Sequence, residues 1–405
     1  MRVVKRIIFM FALLAVVLAS TSCFTYIRGE LWTKTHPDTT RYHTYGEIVV
    51  DLHKLAADHP DIAQLHSIGK TYENRDIWAI SISVKAPEGS PPKPDILVIG
   101  GQHANEWIGK EVVLYYAERF IAESETDPLS KALLSRANIW LIPCANPDGA
   151  IYSETVDRQW RKNRRAFGGD NYGFDVNRAY PYMWRVPGNV WNNPPAIGGS
   201  DDPSSQHFRG YPDYDDPNKP ARITNEVLAI LSLVSDPQRN FILFLDYHSF
   251  SELVLYPPAF SKENAPDEQQ YLQLSEGMAK AINDTSLTLG RRADLNEPKG
   301  PLKYRAKNAG RLYPEIVTGG SIDTMYYEYG IWSLGIELPP YQGTFLRMVG
   351  LYAIGKGFLL PAGRIKSVCI ENVAGFLYAC AWALDHPAPK TRATAPRPAY
   401  TFDSK

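Results

Sequence analysis

The amino-acid sequence predicts an α/β fold: a single domain with a central mixed, mostly parallel, twisted sheet flanked by helices. Three observations predict it. Short, almost wholly apolar runs recur at residues 95–101 (DILVIGG), 138–145 (NIWLIPCA), 241–247 (FILFLDY) and 332–338 (WSLGIEL), the pattern of strands covered on both faces. Helical stretches fall between them, which argues for strand–helix alternation around one sheet. The composition, 44% hydrophobic and 21% charged over 405 residues, is that of a globular chain with apolar material for a sizeable core.

Taken in order, residues 44–57 read as a helix, with Ile48, Leu52 and Leu55 spaced for one face. Residues 76–83 alternate like a strand. The first apolar run, 95–101, is followed by a helical stretch over 106–121. The second, 138–145, is ended by a predicted turn at Asn146-Pro147-Asp148-Gly149. A helix over 225–234 precedes the third run, and the fourth closes the series. Cys369 and Cys380 lie along one further helix. Long irregular tracts at 183–209 and 284–312 are loops of the kind that shape a site. Residues 387–405, rich in Pro, Ala and Lys/Arg, read as a flexible tail.

At the N-terminus, Arg2, Lys5 and Arg6 precede the apolar run 7–18 and the small residues Ala19, Ser20 and Ser22. The run is shorter than the roughly 20 residues of a bilayer span, so residues 1–22 read as a cleaved signal peptide and 23–41 as a short N-terminal segment. The mature chain is then secreted, extracellular or periplasmic, with no membrane span. Cys23 stands where a bacterial lipoprotein cysteine would, but Ser20 replaces the aliphatic residue expected before it, which argues against a lipid anchor. A formal net charge of −1 carries no nucleic-acid footprint. Cys144, Cys369 and Cys380 cannot all pair, so no disulfide framework is expected, and Cys144 reads as a buried free thiol.

In open α/β sheets ligands bind outside the carboxyl ends of the strands, and polar residues collect there. His103 and Glu106 follow the first run, His248 follows the third, and Glu337 stands at the end of the fourth. His-x-x-Glu alone is a weak signal, since Glu106 would also suit the first turn of a helix. Adding His248 gives two histidines and a carboxylate, a ligand set that leaves a fourth zinc position open, as in catalytic sites. Glu337 then supplies a carboxylate free of the metal, or else a strand-end ion pair.

The ordered motifs His103-x-x-Glu106-Trp107-Ile108, Asn146-Pro147-Asp148-Gly149, Trp160-Arg161-Lys162, Asp175-x-Asn177-Arg178, His248-Ser249-x-Ser251, Gly319-Gly320-Ser321-Ile322-Asp323 and Glu337-Leu338 resemble the zinc carboxypeptidases of the pancreatic A/B type. The resemblance covers 42–386, the expected catalytic domain. It implies one zinc per chain held by His103, Glu106 and His248, with Asp175 orienting the first histidine. It also implies Glu337 as general base and acid, and Arg161 as the cation sharing the oxyanion, although a charge run such as 158–165 is often only a solvated face. Asn177 and Arg178 would clamp the C-terminal carboxylate of a peptide or protein substrate.

Ile322 falls where relatives selecting basic residues carry aspartate. With Leu255 as a wall and Gly335 leaving room, it predicts preference for apolar or aromatic C-terminal residues. Tyr313 matches the closing tyrosine, although it lies farther from Gly319 than in the pancreatic enzymes. Asn105 replaces an arginine, which alters an outer subsite. The segment 339–356 separates Glu337-Leu338 from Gly357 without a match. Segment 23–41 leaves no room for the inhibitory prodomain of zymogen relatives. The enzyme is expected to be a monomer. Two other functions fit parts of the pattern: a catalytically silent peptide-binding module, which would lack a ligand, the base or the arginine, and a zinc hydrolase of N-acyl amino acids or cell-wall peptides.

Overall fold

The structure, a computed structural model, describes residues 41–86, 88–166, 172–185, 198–210, 223–288, 304–312, 315–339, 358 and 360–393. The expectations for the signal segment, Cys23, Tyr313, the segment 339–356 beyond Pro339 and the tail beyond 393 lie outside the described residues.

The strands are β1 (Ala63–Lys70), β2 (Asp76–Ile82), β3 (Asp95–Gly100), β4 (Asn138–Ile142), β5 (Phe241–Ser249), β6 (Leu253–Tyr256), β7 (Arg305–Asn308) and β8 (Trp332–Leu338). The helices are α1 (Tyr45–Asp58), α2 (Trp107–Ala122), α3 (Pro128–Arg136), α4 (Pro147–Thr155), α5 (Asn225–Ser235), α6 (Glu268–Thr288), α7 (Ser321–Tyr327) and α8 (Ile365–Asp385). The strands form one mixed sheet of order β1-β2-β4-β3-β5-β8-β6-β7. The central neighbours β4, β3, β5 and β8 run parallel, and β1, β2 and β6 join antiparallel.

The apolar runs are strands because both faces are covered. Along β3, Ile96 and Val98 enter a core with Ile48, Val112, Met278 and Phe376, while Leu97 and Ile99 enter a second core with Tyr180, Val227, Ile230 and Met325. Each such side chain contributes roughly 1.5–3 kcal/mol by leaving water. The helix α1 starts where the sequence signals it: the Thr44 hydroxyl accepts from the Glu47 N–H while the Glu47 carboxylate takes the Thr44 N–H, a reciprocal cap.

Three expectations are corrected. Asn146-Pro147-Asp148-Gly149 does not form a free turn: Asn146 caps α4, accepting from the Gly149 N–H at 3.0 Å, with Pro147 in the first helical turn. The tract from 284 is not irregular at its start, because α6 continues through Thr288 and β7 lies within it. The tail is docked as far as residue 393. Trp332 Nε1 donates to the Pro387 carbonyl at 3.1 Å, and the Lys390 N–H to Asp267 Oδ2 at 2.9 Å. Arg392 reaches the Phe241 carbonyl at 2.8 Å. Among the described residues one helix, Ala362–Asp385, is long and apolar enough to cross a membrane, and it packs as a core helix against α6 and α2. Cys144 is a buried free thiol, as expected, and Cys369 and Cys380 are buried too.

Candidate active site

Because β3, β5 and β8 are parallel neighbours, their carboxyl ends lie side by side. The chain leaves β3 through two glycines. Gly101 has φ +67°, and a Cβ on Gly100 would lie 2.5 Å from the Gly109 carbonyl oxygen, so the first turn of α2 closes directly onto the strand end. That approach brings Glu106, the residue preceding α2, beside His103. Glu106 makes no cap hydrogen bond; its carboxylate turns into the site and accepts from the Ser249 N–H at 3.0 Å. His248 lies in β5, directly opposite Glu337 of β8.

His103 Nδ1 lies 2.9 Å from Glu106 Oε1 and 3.0 Å from His248 Nδ1, which is itself 3.0 Å from Glu106 Oε2. One ligand atom from each residue falls within 4.8 Å of the others, and all three residues are buried. Nitrogen lone pairs facing one another at this distance need a shared proton or a cation. A carboxylate holds the opposite ring nitrogen of His103, whose Nε2 is 3.0 Å from Asp175 Oδ1, while His248 Nε2 is hydrogen-bonded to Asn177 Nδ2 at 3.0 Å with Asp246 Oδ2 2.9 Å away.

The donor set fits zinc in kind, with two imidazoles and one carboxylate, and it fits in charge. Asp175, Asp246, Glu106 and Glu337 place four carboxylates here against the two guanidiniums of Arg161 and Arg178. With neutral imidazoles, two negative charges remain for a dication. Asp246 Oδ1 and Ser249 Oγ are also buried without a hydrogen-bond partner.

The electrostatics sort the remaining groups. Burial pushes the Glu106 carboxyl up, but His103 and His248 outweigh it and hold it below the ordinary range. Asp175 is likewise buried, and Arg161, His103 and Arg178 hold it well below that range. Burial, reinforced by the Glu106 carboxylate, pushes Glu337 up to about 7. Arg161 donates from Nε to Asp175 Oδ2 at 2.9 Å and from NH1 to Glu106 Oε1 at 3.2 Å. Burial opposes its charge, but Asp175 and Glu106 more than restore it.

A cleft of about 340 Å³ gathers nine of the residues singled out in the sequence: His103, Glu106, His248, Glu337, Arg161, Asn177, Arg178, Leu255 and Ile322. Asp175 stands behind them. Asn177 and Arg178 lie on a short 3-10 turn that Asp175 opens by accepting from the Asn177 N–H at 3.0 Å. At the apolar end, Leu255 and Ile322 flank Gly335. A Cβ there would meet Leu255 Cβ at 3.7 Å and Ile322 Cγ2 at 3.9 Å, both ordinary contacts.

Sequence reasoning missed two residues. Asp246 sits inside the apolar run of β5 and lines the cleft; its only signal was a charged residue in a strand covered on both faces. His207 stands 3.3 Å from Asp175 Oδ2, and burial, with Arg161 and Arg178 adding to it, brings its pKa down to about 4. Its loop carries no periodicity to mark it.

The zinc carboxypeptidase family model matches residues 48–375. The chain belongs to that family. Mouse carboxypeptidase A4 is 30% identical over 349 residues, 85% of this chain and 71% of the mouse protein. A Saccharomyces cerevisiae protein named an inactive metallocarboxypeptidase is 27% identical over 348 residues, again 85% of this chain and 71% of its own. The crystal structure of thrombin activatable fibrinolysis inhibitor superposes with a TM-score of 0.70 at 20% identity, over 88% of this chain and 77% of that one, which establishes the shared fold. Membership of the zinc carboxypeptidases makes the chain a metallocarboxypeptidase, a metal-dependent hydrolase acting at C-terminal peptide bonds.

Proposed function

We propose that the chain is a zinc exopeptidase that removes the C-terminal residue of peptides and proteins and prefers apolar or aromatic residues there. The observation that carries this reading is the meeting of His103 and His248 across 145 residues of chain, with Glu106 between them and Glu337 opposite His248.

His103, Glu106 and His248 would hold the zinc, which when bound supplies an activated water and polarises the scissile carbonyl. Asp175 keeps the His103 ring turned with Nδ1 inward. Glu337 takes a proton from the attacking water and returns it to the departing amine; a carboxyl raised by burial is suited to both transfers. Arg161, held by Asp175 and Glu106, keeps a guanidinium beside the place where the oxyanion develops. Asn177 and Arg178 read the free C-terminal carboxylate, for which a guanidinium offers paired hydrogen bonds. Leu255, Ile322 and Gly335 receive the side chain. With no carboxylate at Ile322, a lysine or arginine would be desolvated without a partner in this pocket.

Tyr313 is proposed to close over the substrate. We assign the catalytic domain to 42–386 and, from the N-terminal segment, place the enzyme outside the cytoplasm as a monomer. A catalytically silent peptide-binding role is disfavoured, although the yeast relative is named inactive, because this chain carries both histidines, Glu106, Arg161 and Glu337.

The test is Glu337→Gln assayed beside the parent enzyme. Zinc content should be unchanged and kcat reduced by several orders of magnitude; near-normal turnover would place the base elsewhere. Substrate reading is tested with a blocked dipeptide ending in Phe, its Lys counterpart and a C-terminally amidated twin. Release should rank Phe above Lys, and the amide should resist. Equal cleavage of acid and amide would remove the carboxylate clamp.

A further inference from the structure

We infer that Asp323 is a positioning residue for the side-chain pocket: its buried carboxylate ties the loop that carries Ala259 to the helix that carries Ile322. The inference deepens the pocket reading above, in which Leu255, Ile322 and Gly335 receive the last side chain of the substrate, and it rests on that reading.

After β6 the chain runs Pro257-Pro258-Ala259-Phe260. The two prolines carry no N–H, so Ala259 and Phe260 offer the first donors of this loop. Both meet one carboxylate. The Ala259 N–H donates to Asp323 Oδ1 at 3.0 Å and to Oδ2 at 3.1 Å, and the Phe260 N–H to Oδ2 at 3.1 Å. The carbonyls of the loop are bonded on the other side. Pro257 accepts from Asn308 Nδ2 at 3.2 Å, Pro258 from the Gly310 N–H at 2.8 Å and Ala259 from the Val317 N–H at 2.9 Å.

Asp323 lies in the first turn of α7, where a carboxylate favours the helix dipole, but an exposed one would serve that purpose. This one is fully buried. Burial, opposed by the N–H groups of Ala259 and Phe260, pushes its carboxyl up to about 7, and no cation contributes to the balance. Burying a carboxylate without a cation is costly, and the hydrogen bonds that offset the cost go to the loop of Ala259.

That loop is a wall of the pocket. Ala259 lines the cleft with Leu255, Val317, Ile322 and Gly335, and it packs with Ile322 and Leu255 in one apolar cluster. Ile322 precedes Asp323 on α7, and its carbonyl accepts from Ser333 Oγ at 2.7 Å. This bond fixes the helix to β8 two residues before Gly335. Ile322 and Gly335 thus form a floor anchored to the sheet, and Asp323 sets the distance from that floor to the Ala259 wall. A large ring presents much apolar surface to the wall and senses a shift in it, whereas a methyl group has little surface to lose.

The test compares kcat and KM for blocked dipeptides ending in Phe and in Ala, at pH 8, where Asp323 is ionised, in the parent, Asp323→Ala and Asp323→Asn. The Phe:Ala ratio of kcat/KM should fall about 10-fold in Asp323→Ala, the scale of a poorly filled apolar pocket, with the loss in KM for Phe. The fall should be smaller in Asp323→Asn, because one oxygen can still accept from both N–H groups while the amide N–H opposes that of Ala259. A lower Tm with the ratio kept within about twofold of the parent would make the role merely structural and overturn the inference.

Should Asp323→Ala not fold, amide hydrogen exchange of the parent decides it. Free phenylalanine in the pocket should slow exchange at Ala259 and Phe260 by about 10-fold or more, since the filled pocket holds the wall against the carboxylate; exchange unchanged within about twofold overturns the inference. A parent that releases Ala as fast as Phe sinks the pocket reading and this inference with it. A parent that prefers Phe, beside an equally selective Asp323→Ala, sinks this inference alone.

Discussion

Five basic residues lie between 158 and 165, and their surroundings separate them. Arg158 stacks on the Trp107 ring at 3.8 Å, Arg164 stacks on Tyr152 at 3.8 Å, and Lys162 donates to the Pro203 carbonyl at 2.7 Å. Of the five, Arg161 lines the cleft. Its planar fork is held at Nε and NH1, which a lysine ammonium cannot reproduce. Arg161→Lys should therefore lower kcat by about 100-fold or more, on the scale of losing one oxyanion donor, with KM little changed. Steady-state kinetics on a C-terminal Phe substrate checks it, and a KM effect alone would assign Arg161 to substrate binding. Glu337 must be ionised to take a proton, so kcat/KM should fall as pH drops through an apparent pKa between its ordinary value of 4.5 and about 7. A flat profile across that range would argue against it as base. At this scale much of the site was legible, because His103, Glu106, His248 and Glu337 stand at the ends of recognisable strands. Asp246 and His207 were not, since the contacts that single them out form only when β5 and the 198–210 loop dock around Asp175 and Ser321.

Helix α2 sets the metal-side geometry through one close contact. A Cβ on Gly109 would lie 2.7 Å from the Tyr247 carbonyl oxygen, and backbone on both sides leaves little to give. Gly109→Ala should lower Tm and weaken zinc binding together, because α2, which Glu106 immediately precedes, is pushed off the strand end. Gly46→Ala in α1, where a Cβ meets nothing within 4 Å, is the control, and should leave Tm equal or raised. In α5, burial raises the Glu226 carboxyl to about 7. A folded pKa above the unfolded one means that the native state binds the extra proton. The contribution is fully present below about pH 4.3 and is lost as pH rises through 7. Glu226→Gln should flatten the Tm–pH curve between 5 and 8 and raise Tm at pH 8; parallel curves would exclude Glu226 as the source. The apolar strands were legible because their period and length survive in any context. The Asn146-Pro147-Asp148-Gly149 motif was not, because the same four residues open a turn or cap a helix, and Gly149 N–H meeting Asn146 Oδ1 decides between them.

Over the whole molecule, the site and the docked tail occupy opposite ends of the sheet. Pro387, Lys390 and Arg392 attach at Trp332, Asp267 and Phe241, and Trp332 and Phe241 begin the strands whose far ends carry Glu337 and His248. Removing residues 387–405 should cost a few hydrogen bonds of about 1 kcal/mol each and a few degrees of Tm, with kcat and KM unchanged. A loss of turnover without loss of stability would contradict the separation. The α/β class and mixed sheet followed from the four apolar runs. The tail did not, since a Pro- and Ala-rich segment looks alike whether free or bonded to strand starts.

Gly335 lies on β8 two positions before Glu337, on the same side of the strand, and ordinary space surrounds the missing methyl. Enlarging this one residue would raise the floor of the pocket while leaving His103, Glu106, His248 and Glu337 on their own backbone positions. On the proposed preference, Gly335→Val should shift release from bulky rings toward short aliphatic residues, so the choice of peptide end can drift without the hydrolytic apparatus being rebuilt.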